Sequence, residues 1–108
     1  MTQPAPFLTI VIPAYNEAES LPTLLAEIRT VCEAHAITYE VLVFDDGSTD
    51  GTFEVVKEEN LRDPRVHAVR FRRNSGKAAA LAEGFRRARG QRVITMDADL
   101  QDNPTEIP

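Results

Sequence analysis

Tryptophan is absent from this 108-residue chain, cysteine occurs once and histidine twice. A lone cysteine, Cys32, excludes an internal disulfide. It falls on the apolar face of a predicted helix, so it reads as a buried neutral thiol in a reducing compartment. His35 and His67 have no partners at ligand spacing, so no zinc site is expected and both read as structural or surface residues. No apolar run approaches the ~20 residues that a bilayer-crossing helix needs, so nothing here is expected to span a membrane. Residues 1–6 lack the charged and apolar regions of a signal peptide. Aromatics make up 6%, too few to lay a stacking platform among the arginines, and nucleic acid is not an expected partner.

The chain does have an ordinary share of apolar (43%) and charged (27%) residues, which excludes general disorder, and its length allows one core. Its net charge of −5 is unevenly distributed. Residues 1–64 hold 12 acids and 3 bases, a net of −9, whereas residues 65–92 hold 9 bases and 1 acid, a net of +8. The last 16 residues, 93–108, hold 4 acids and no base. Solvated helix faces account for most such charge, but acidic loops beside a basic segment also suit a site holding a cation and a phosphate together.

Strand-like and helix-like segments alternate. Phe7 to Ile12 is a continuous apolar run ended by Pro13, as in a strand buried on both faces. Asn16 to Glu19 offers a capping-box start for a helix carrying Ala18, Leu21, Leu24, Leu25, Ile28, Val31 and Cys32 at helical spacing. Tyr39 to Phe44 is a second strand, followed by caps at Ser48, Thr49 and Asp50 and a short helix. Val66 to Phe71 is a third strand. A third helix follows Asn74-Ser75-Gly76-Lys77, with Ala78, Leu81, Ala82, Phe85 and Ala88 on one face and Gly90 as its stop. Arg92 to Met96 is a fourth strand. This order predicts an α/β, Rossmann-like, mostly parallel sheet of about four strands flanked by helices. Ligands in such sheets sit beyond the carboxyl ends of the strands. Each conspicuous polar cluster (13–17, 45–50, 74–77 and 97–102) follows a strand, so all four are expected on one rim.

The clusters suit a particular chemistry. Asp97-Ala98-Asp99 sets two carboxylates two residues apart at a strand end, with the Gln101 amide oxygen close behind, an oxygen-donor set for Mg²⁺ or Mn²⁺. In isolation the triplet reads equally as a solvated turn. Asp46 can accept from a nucleobase ring N–H, Asp45 can cap the turn or support the metal site, and Ser48, Thr49 and Asp50 read as turn and cap residues. Tyr15 can stack on a base. Glu17 suits a helix start, and Asn16 reads as a cap. Lys77 at a helix start suits a phosphate, although the loop is no Walker A motif.

Three stretches together, Ile12-Pro13-Ala14-Tyr15-Asn16-Glu17, Val43 to Thr52 and Met96 to Asp102 with Pro104, Glu106, Ile107 and Pro108, resemble family 2 glycosyltransferases of the GT-A fold. The dolichyl- and polyprenyl-phosphate sugar synthases are the branch most similar, and Gly76 to Leu81 shares that likeness. The resemblance implies a nucleotide pocket of Pro13, Tyr15, Glu17, Phe44, Asp46, Lys77, Asp97 and Ala98. It implies Mg²⁺ or Mn²⁺ on Asp97, Asp99 and Gln101, and a UDP- or GDP-linked donor. It also implies inverting transfer to an acceptor such as a lipid phosphate at the cytoplasmic face of a membrane, and a cytoplasmic location for this chain. No catalytic base stands out. Residues 1–6 read as a tail and 7–108 as the nucleotide-sugar-binding part of a glycosyltransferase domain that stops before its acceptor-binding half. The 108 residues alone are therefore expected to turn over little. A haloacid-dehalogenase-type phosphatase fits poorly, since it wants Asp-x-Asp on its first strand. A non-catalytic nucleotide-binding or assembly module is the alternative.

Overall fold

The computed structural model describes residues 5–71, 76–98 and 107, with the backbone alone at 76 and 77. Seven elements alternate: β1 (Leu8–Ala14), α1 (Leu21–Ala34), β2 (Tyr39–Asp45), α2 (Thr52–Arg62), β3 (Val66–Arg70), α3 (Gly76–Arg87) and β4 (Arg92–Thr95). The strands form one sheet in the order β3-β2-β1-β4, and every pairing is parallel. The α/β, Rossmann-like expectation holds. The strand order reverses beside β1: β2 and β3 are laid down on one side of it and β4 on the other. That reversal opens a crevice at the carboxyl ends of β1 and β4.

Side-chain alternation along the strands builds two cores. Leu8, Ile10, Ile12 and Ala14 of β1 join Tyr39, Val41 and Val43 of β2 under Leu21, Leu24, Leu25, Ile28 and Cys32 of α1 and Val56 of α2. Val11, Leu42 and Phe44 face the other way, against Ala80 of α3. Cys32 is fully buried and reduced, and burial raises its thiol pKa.

Three local expectations need correction. β1 does not stop at Pro13 but runs to Ala14, with Pro13 paired to Phe44. The Val11 carbonyl accepts from Met96 N–H, so alternate residues of β1, Pro13 included, turn their backbone groups toward β4. The β1–β4 ladder has ended by then, at Val11 and Thr95, so the missing proline N–H costs no bond. Helix α1 begins at Leu21 rather than near Glu17, because Asn16 sits at a φ of 54° and its side chain is used elsewhere. Helix α3 is turned away from the face its apolar spacing suggests, keeping only part of it, Leu81, against the core. Ala80 and Gly84 lie inward, whereas Phe85 is 58% exposed. A Cβ on Gly84 would stand 2.6 Å from a Val11 methyl, so small residues let the helix sit close to β1 and turn Phe85 outward.

Candidate nucleotide and metal site

Every described loop at the carboxyl rim takes its shape from side-chain bonds to backbone. The turn after β2 starts with Asp45, which is 1% exposed and accepts from Ser48 N–H at 3.0 Å through Oδ1. Its Oδ2 is buried without a hydrogen bond, and the Arg70 guanidinium lies 3.7 Å from it. Gly47 and Gly51 hold φ of 81° and 87°, a left-handed backbone that glycine adopts without strain. Adjacent acids in this turn therefore do different work. Asp45 locks the turn from below, and Asp46 is carried to the rim, where its N–H donates to the Ala14 carbonyl at 2.9 Å.

The turn after β1 is stitched to this one. Asn16 N–H donates to Ser48 Oγ at 2.8 Å, Glu17 N–H to Thr52 Oγ1 at 2.9 Å and Ala18 N–H to Asp50 Oδ2 at 3.2 Å. Thr49 N–H returns the connection, donating to Asn16 Oδ1 at 2.8 Å. Ser48 and Thr49 are thus not helix caps, and Asn16 is a cross-loop brace rather than a cap. Asp50 alone does both jobs: Oδ1 accepts from Thr52 N–H at 3.0 Å at the start of α2. The Thr52 hydroxyl donates to the same carboxylate. That bond, with the N–H groups of Ala18 and Thr52, holds the Asp50 carboxyl below its ordinary pKa. The sequence shows turn-forming residues here but not their partners, which lie more than 30 positions away.

The braced loops surround a hollow of about 200 Å³ lined by Pro13, Ala14, Tyr15, Glu17, Asp46, Ala80 and Asp97. Five of these, Pro13, Tyr15, Glu17, Asp46 and Asp97, are residues that the sequence singled out. They come from the ends of β1, β2 and β4, so three polar clusters do share one rim. Tyr15 is half-exposed at 49%, available to a planar ligand, while Asp46 is 8% exposed. Ala14 and Ala80 were missed, as small apolar wall residues carry no signal of their own.

Two predicted wall residues are elsewhere. Phe44 is fully buried, packed with Val11, Leu42 and Ala80 and stacked on Phe71 at 5.8 Å between ring centres. Its position in β2 points it into the α3-side core, beneath the rim. Ala98 is 2% exposed with its side chain in the α1-side core, and it does not line the hollow. Asp99, Gln101 and the Lys77 side chain lie outside the described residues. Among the described residues, no three His, Cys, Asp or Glu side chains are grouped closely enough to hold a metal by themselves. Nor does any described helix have the length and apolar character to cross a membrane.

Comparison with known proteins fits this geometry. Residues 9–108 match the family model described as glycosyl transferase family 2. The chain is 46% identical over 102 residues to the undecaprenyl-phosphate 4-deoxy-4-formamido-L-arabinose transferase of Pseudomonas fluorescens, covering 94% of this chain and 30% of that protein. It thus spans roughly a third of the length of the curated relatives it matches. Among solved structures it is similar to the mannosyltransferase PcManGT from Pyrobaculum calidifontis in complex with GDP-Man and Mn²⁺. That match has a TM-score of 0.76 and 34% identity and covers 87% of this chain and 28% of that one. It is also similar to S. aureus TarS in complex with UDP-GlcNAc, with a TM-score of 0.67 and 25% identity, covering 85% of this chain and 26% of that one.

Proposed function

Because the chain belongs to glycosyl transferase family 2, we propose that it is the donor-binding part of an inverting glycosyltransferase that moves a sugar from a nucleoside-diphosphate sugar to a polyprenyl-phosphate-type acceptor. The observation that carries this reading is the hollow in which Tyr15 and Glu17, Asp46 and Asp97 meet from three different strand ends. Tyr15 offers an aromatic face to a base. Asp46 offers an acceptor to a ring N–H, which both uracil and guanine possess, so either base fits. The acceptor class is supported by the activity named for the Pseudomonas fluorescens relative, and a divalent cation by the Mn²⁺ in the Pyrobaculum calidifontis mannosyltransferase complex.

The donor set agrees with a hard cation. Asp97 contributes a half-buried carboxylate at the rim, in a hollow otherwise lined by oxygen ligands and small apolar groups, with no sulfur or imidazole. Asp97, with Asp99 and Gln101, would hold Mg²⁺ or Mn²⁺, and Lys77 would contact the phosphates. The cation, when bound, would neutralise the departing diphosphate. The chain's own residues bind and orient the nucleoside and keep the sugar–phosphate bond over the β1–β4 crevice. An acceptor phosphate monoester, with a second pKa of about 6, is already mostly ionised at neutral pH. That removes the need for a strong base, and none stands out among the described residues of the hollow. A lipid phosphate at the cytoplasmic face of a membrane would meet the donor where it is dissolved. The acceptor-binding part would lie outside residues 7–108.

Calorimetric titration of the 108-residue chain with UDP and GDP, each with and without Mn²⁺, tests the reading. Binding that tightens when Mn²⁺ is present, with that gain lost in Asp97→Ala, is the expected result. Binding indifferent to metal, or unaffected by Asp97→Ala, refutes the assignment of the hollow.

A further inference from the structure

Ser20 occupies the N-cap position of α1, yet its side chain makes no capping bond. An N-cap serine ordinarily accepts from the N–H of the second or third helical residue. Here the second is Pro22, which has no N–H to offer, and Ser20 itself has helical angles (φ −88°, ψ −26°) rather than the extended ones of a capping residue. The hydroxyl turns away from its own helix. It lies 2.5 Å from the carbonyl oxygen of Ala98, 78 positions further along the chain, and 3.2 Å from Glu17 Oε2. A hydroxyl has one proton. Both partners can only accept, and the shorter contact, to the Ala98 carbonyl, is where that proton is placed.

The carbonyl concerned belongs to the residue directly after Asp97, so holding it holds the chain that presents the Asp97 carboxylate to the hollow. The β1–β4 ladder ends at Thr95, and Met96 N–H, donating to the Val11 carbonyl at 3.0 Å, extends the connection by one bond. The turn that follows is steadied from below by the buried Ala98 methyl and from the side by Ser20. The Glu17 carboxylate, which lines the hollow, lies 3.2 Å from the same hydroxyl. Ser20 itself does not line the hollow.

We propose that Ser20 is a positioning residue that fixes the Ala98 carbonyl and, through it, the chain that presents the Asp97 carboxylate to the hollow. This rests on the proposed function. Because no cap is lost, Ser20→Ala removes the cross-loop bond while leaving α1 its own hydrogen bonds. Groups that orient a metal's ligands change metal affinity by roughly tenfold or more when removed.

The test uses the 108-residue chain. Mn²⁺ affinity is measured by electron paramagnetic resonance in the presence of UDP or GDP, and nucleotide affinity is measured separately in EDTA. Thermal unfolding is followed for wild type, Ser20→Ala and Ser20→Thr. The expected result is Mn²⁺ affinity down roughly tenfold in Ser20→Ala, with metal-free nucleotide affinity unchanged and Mn²⁺ affinity restored in Ser20→Thr. Mn²⁺ affinity equal to wild type in Ser20→Ala overturns the proposal. So does a parallel fall in both affinities that Ser20→Thr does not repair, since that is what a merely structural serine would give. Should Ser20→Ala fail to fold, Ser20→Thr and Ser20→Cys decide: unchanged affinity in the first and weakened Mn²⁺ binding in the second are expected, and equal affinities overturn it. Wild-type chain that binds neither nucleotide under any condition defeats the functional reading itself. A Mn²⁺-dependent gain in wild-type binding that is lost in Asp97→Ala but intact in Ser20→Ala defeats only the role given to Ser20.

Discussion

The two ends of the sheet differ in a way that cavity size alone would misread. At the amino end a hollow of about 560 Å³, lined in part by Pro6, Ile37, Tyr39, Pro64 and Arg65, is larger than the one of about 200 Å³ at the carboxyl end. The polar groups of Arg65 and Glu40 in its wall, however, already have partners. Arg65 donates to Asp63 Oδ1 at 2.8 Å and to Glu33 Oε2 at 3.0 Å while lying over the Tyr39 ring. Glu40, 4% exposed, accepts from the Thr9 hydroxyl and from Arg89 N–H, both at 2.7 Å. At the carboxyl end, the serine, threonine and asparagine side chains satisfy backbone groups, and the smaller hollow keeps carboxylates from three strand ends in its wall. One end uses its polar groups to close the fold, and the other uses them to shape a concave acidic surface. Position at the strand ends, rather than volume, distinguishes the functional candidate.

The contrast implies that the amino end can be damaged heavily in stability without a specific effect on binding. The largest effect is expected for Gly90→Ala. A Cβ there would lie 2.6 Å from Thr9 N and 2.7 Å from Leu8 C and Thr9 Oγ1, and backbone cannot rotate aside. Gly90 N–H also donates to Thr9 Oγ1 at 2.8 Å, a bond that any retreat of the turn would stretch. A loss of about 3 kcal/mol is expected, read as a lower urea midpoint, with nucleotide affinity of the folded fraction unchanged. Gly84→Ala meets the side chain of Val11 instead of backbone, so its midpoint should fall less. The reverse order would show that the amino-end turn is less constrained than its contacts imply.

That geometry also marks how far the residues alone could lead. The alternation of apolar runs and helical spacing identified all seven elements, because burial on both faces of a parallel sheet leaves strands such as Phe7–Ile12 almost wholly apolar, with Thr9 the one polar residue. The strand-end rule brought Tyr15, Glu17, Asp46 and Asp97 together for the same reason. Phe44 was misplaced because an aromatic one residue before an acidic turn looks the same whether its side chain faces the rim or the core. Only its full burial against Val11, Leu42, Ala80 and Phe71 settles that. The face of α3 was misjudged because apolar spacing rewards Phe85, whereas close approach to Val11 favours Ala80 and Gly84. Ser20 was invisible for a different reason: its partner is fixed by tertiary structure, and a serine before a helix already has a sufficient local explanation.

At the carboxyl end a smaller change in stability should bring a disproportionate change in binding. Thr52 is fully buried, and its hydroxyl accepts from Glu17 N–H at 2.9 Å while donating to Asp50. Thr52→Val keeps the shape and deletes both bonds. The part-buried Glu17 N–H is then left without that acceptor, a cost of about 1–2 kcal/mol, or a Tm lower by roughly 4–15 °C for a domain of this size. Nucleotide affinity should fall as well, since Glu17 loses the brace that holds it in the wall. A variant with lowered Tm and wild-type affinity would erase the distinction between the two ends.

The smallest effect concerns pH and returns to the amino end. Burial pushes the Asp63 carboxyl up, but hydrogen bonds from the Arg65 side chain and backbone, the Arg65 charge and the Tyr39 hydroxyl outweigh it, so the pKa lies below the ordinary value. Its ordinary value in the unfolded chain is about 3.9. A folded pKa beneath the unfolded one means that folding favours the ionised form. Its contribution is therefore complete above about pH 4 and is lost as pH falls through the folded value. Asp63→Asn removes the charge and with it this dependence. The stability gap between wild type and Asp63→Asn, measured by urea unfolding, should be constant from about pH 7 to pH 5 and shrink toward pH 3. Nucleotide affinity at neutral pH should be the same in both proteins, because the Asp63–Arg65–Glu33 cluster serves the fold and touches nothing in the acidic hollow. A gap that stays constant down to pH 3 would mean that Arg65 does not stabilise the ionised carboxylate, and the amino end would then hold an uncommitted cation beside its large hollow.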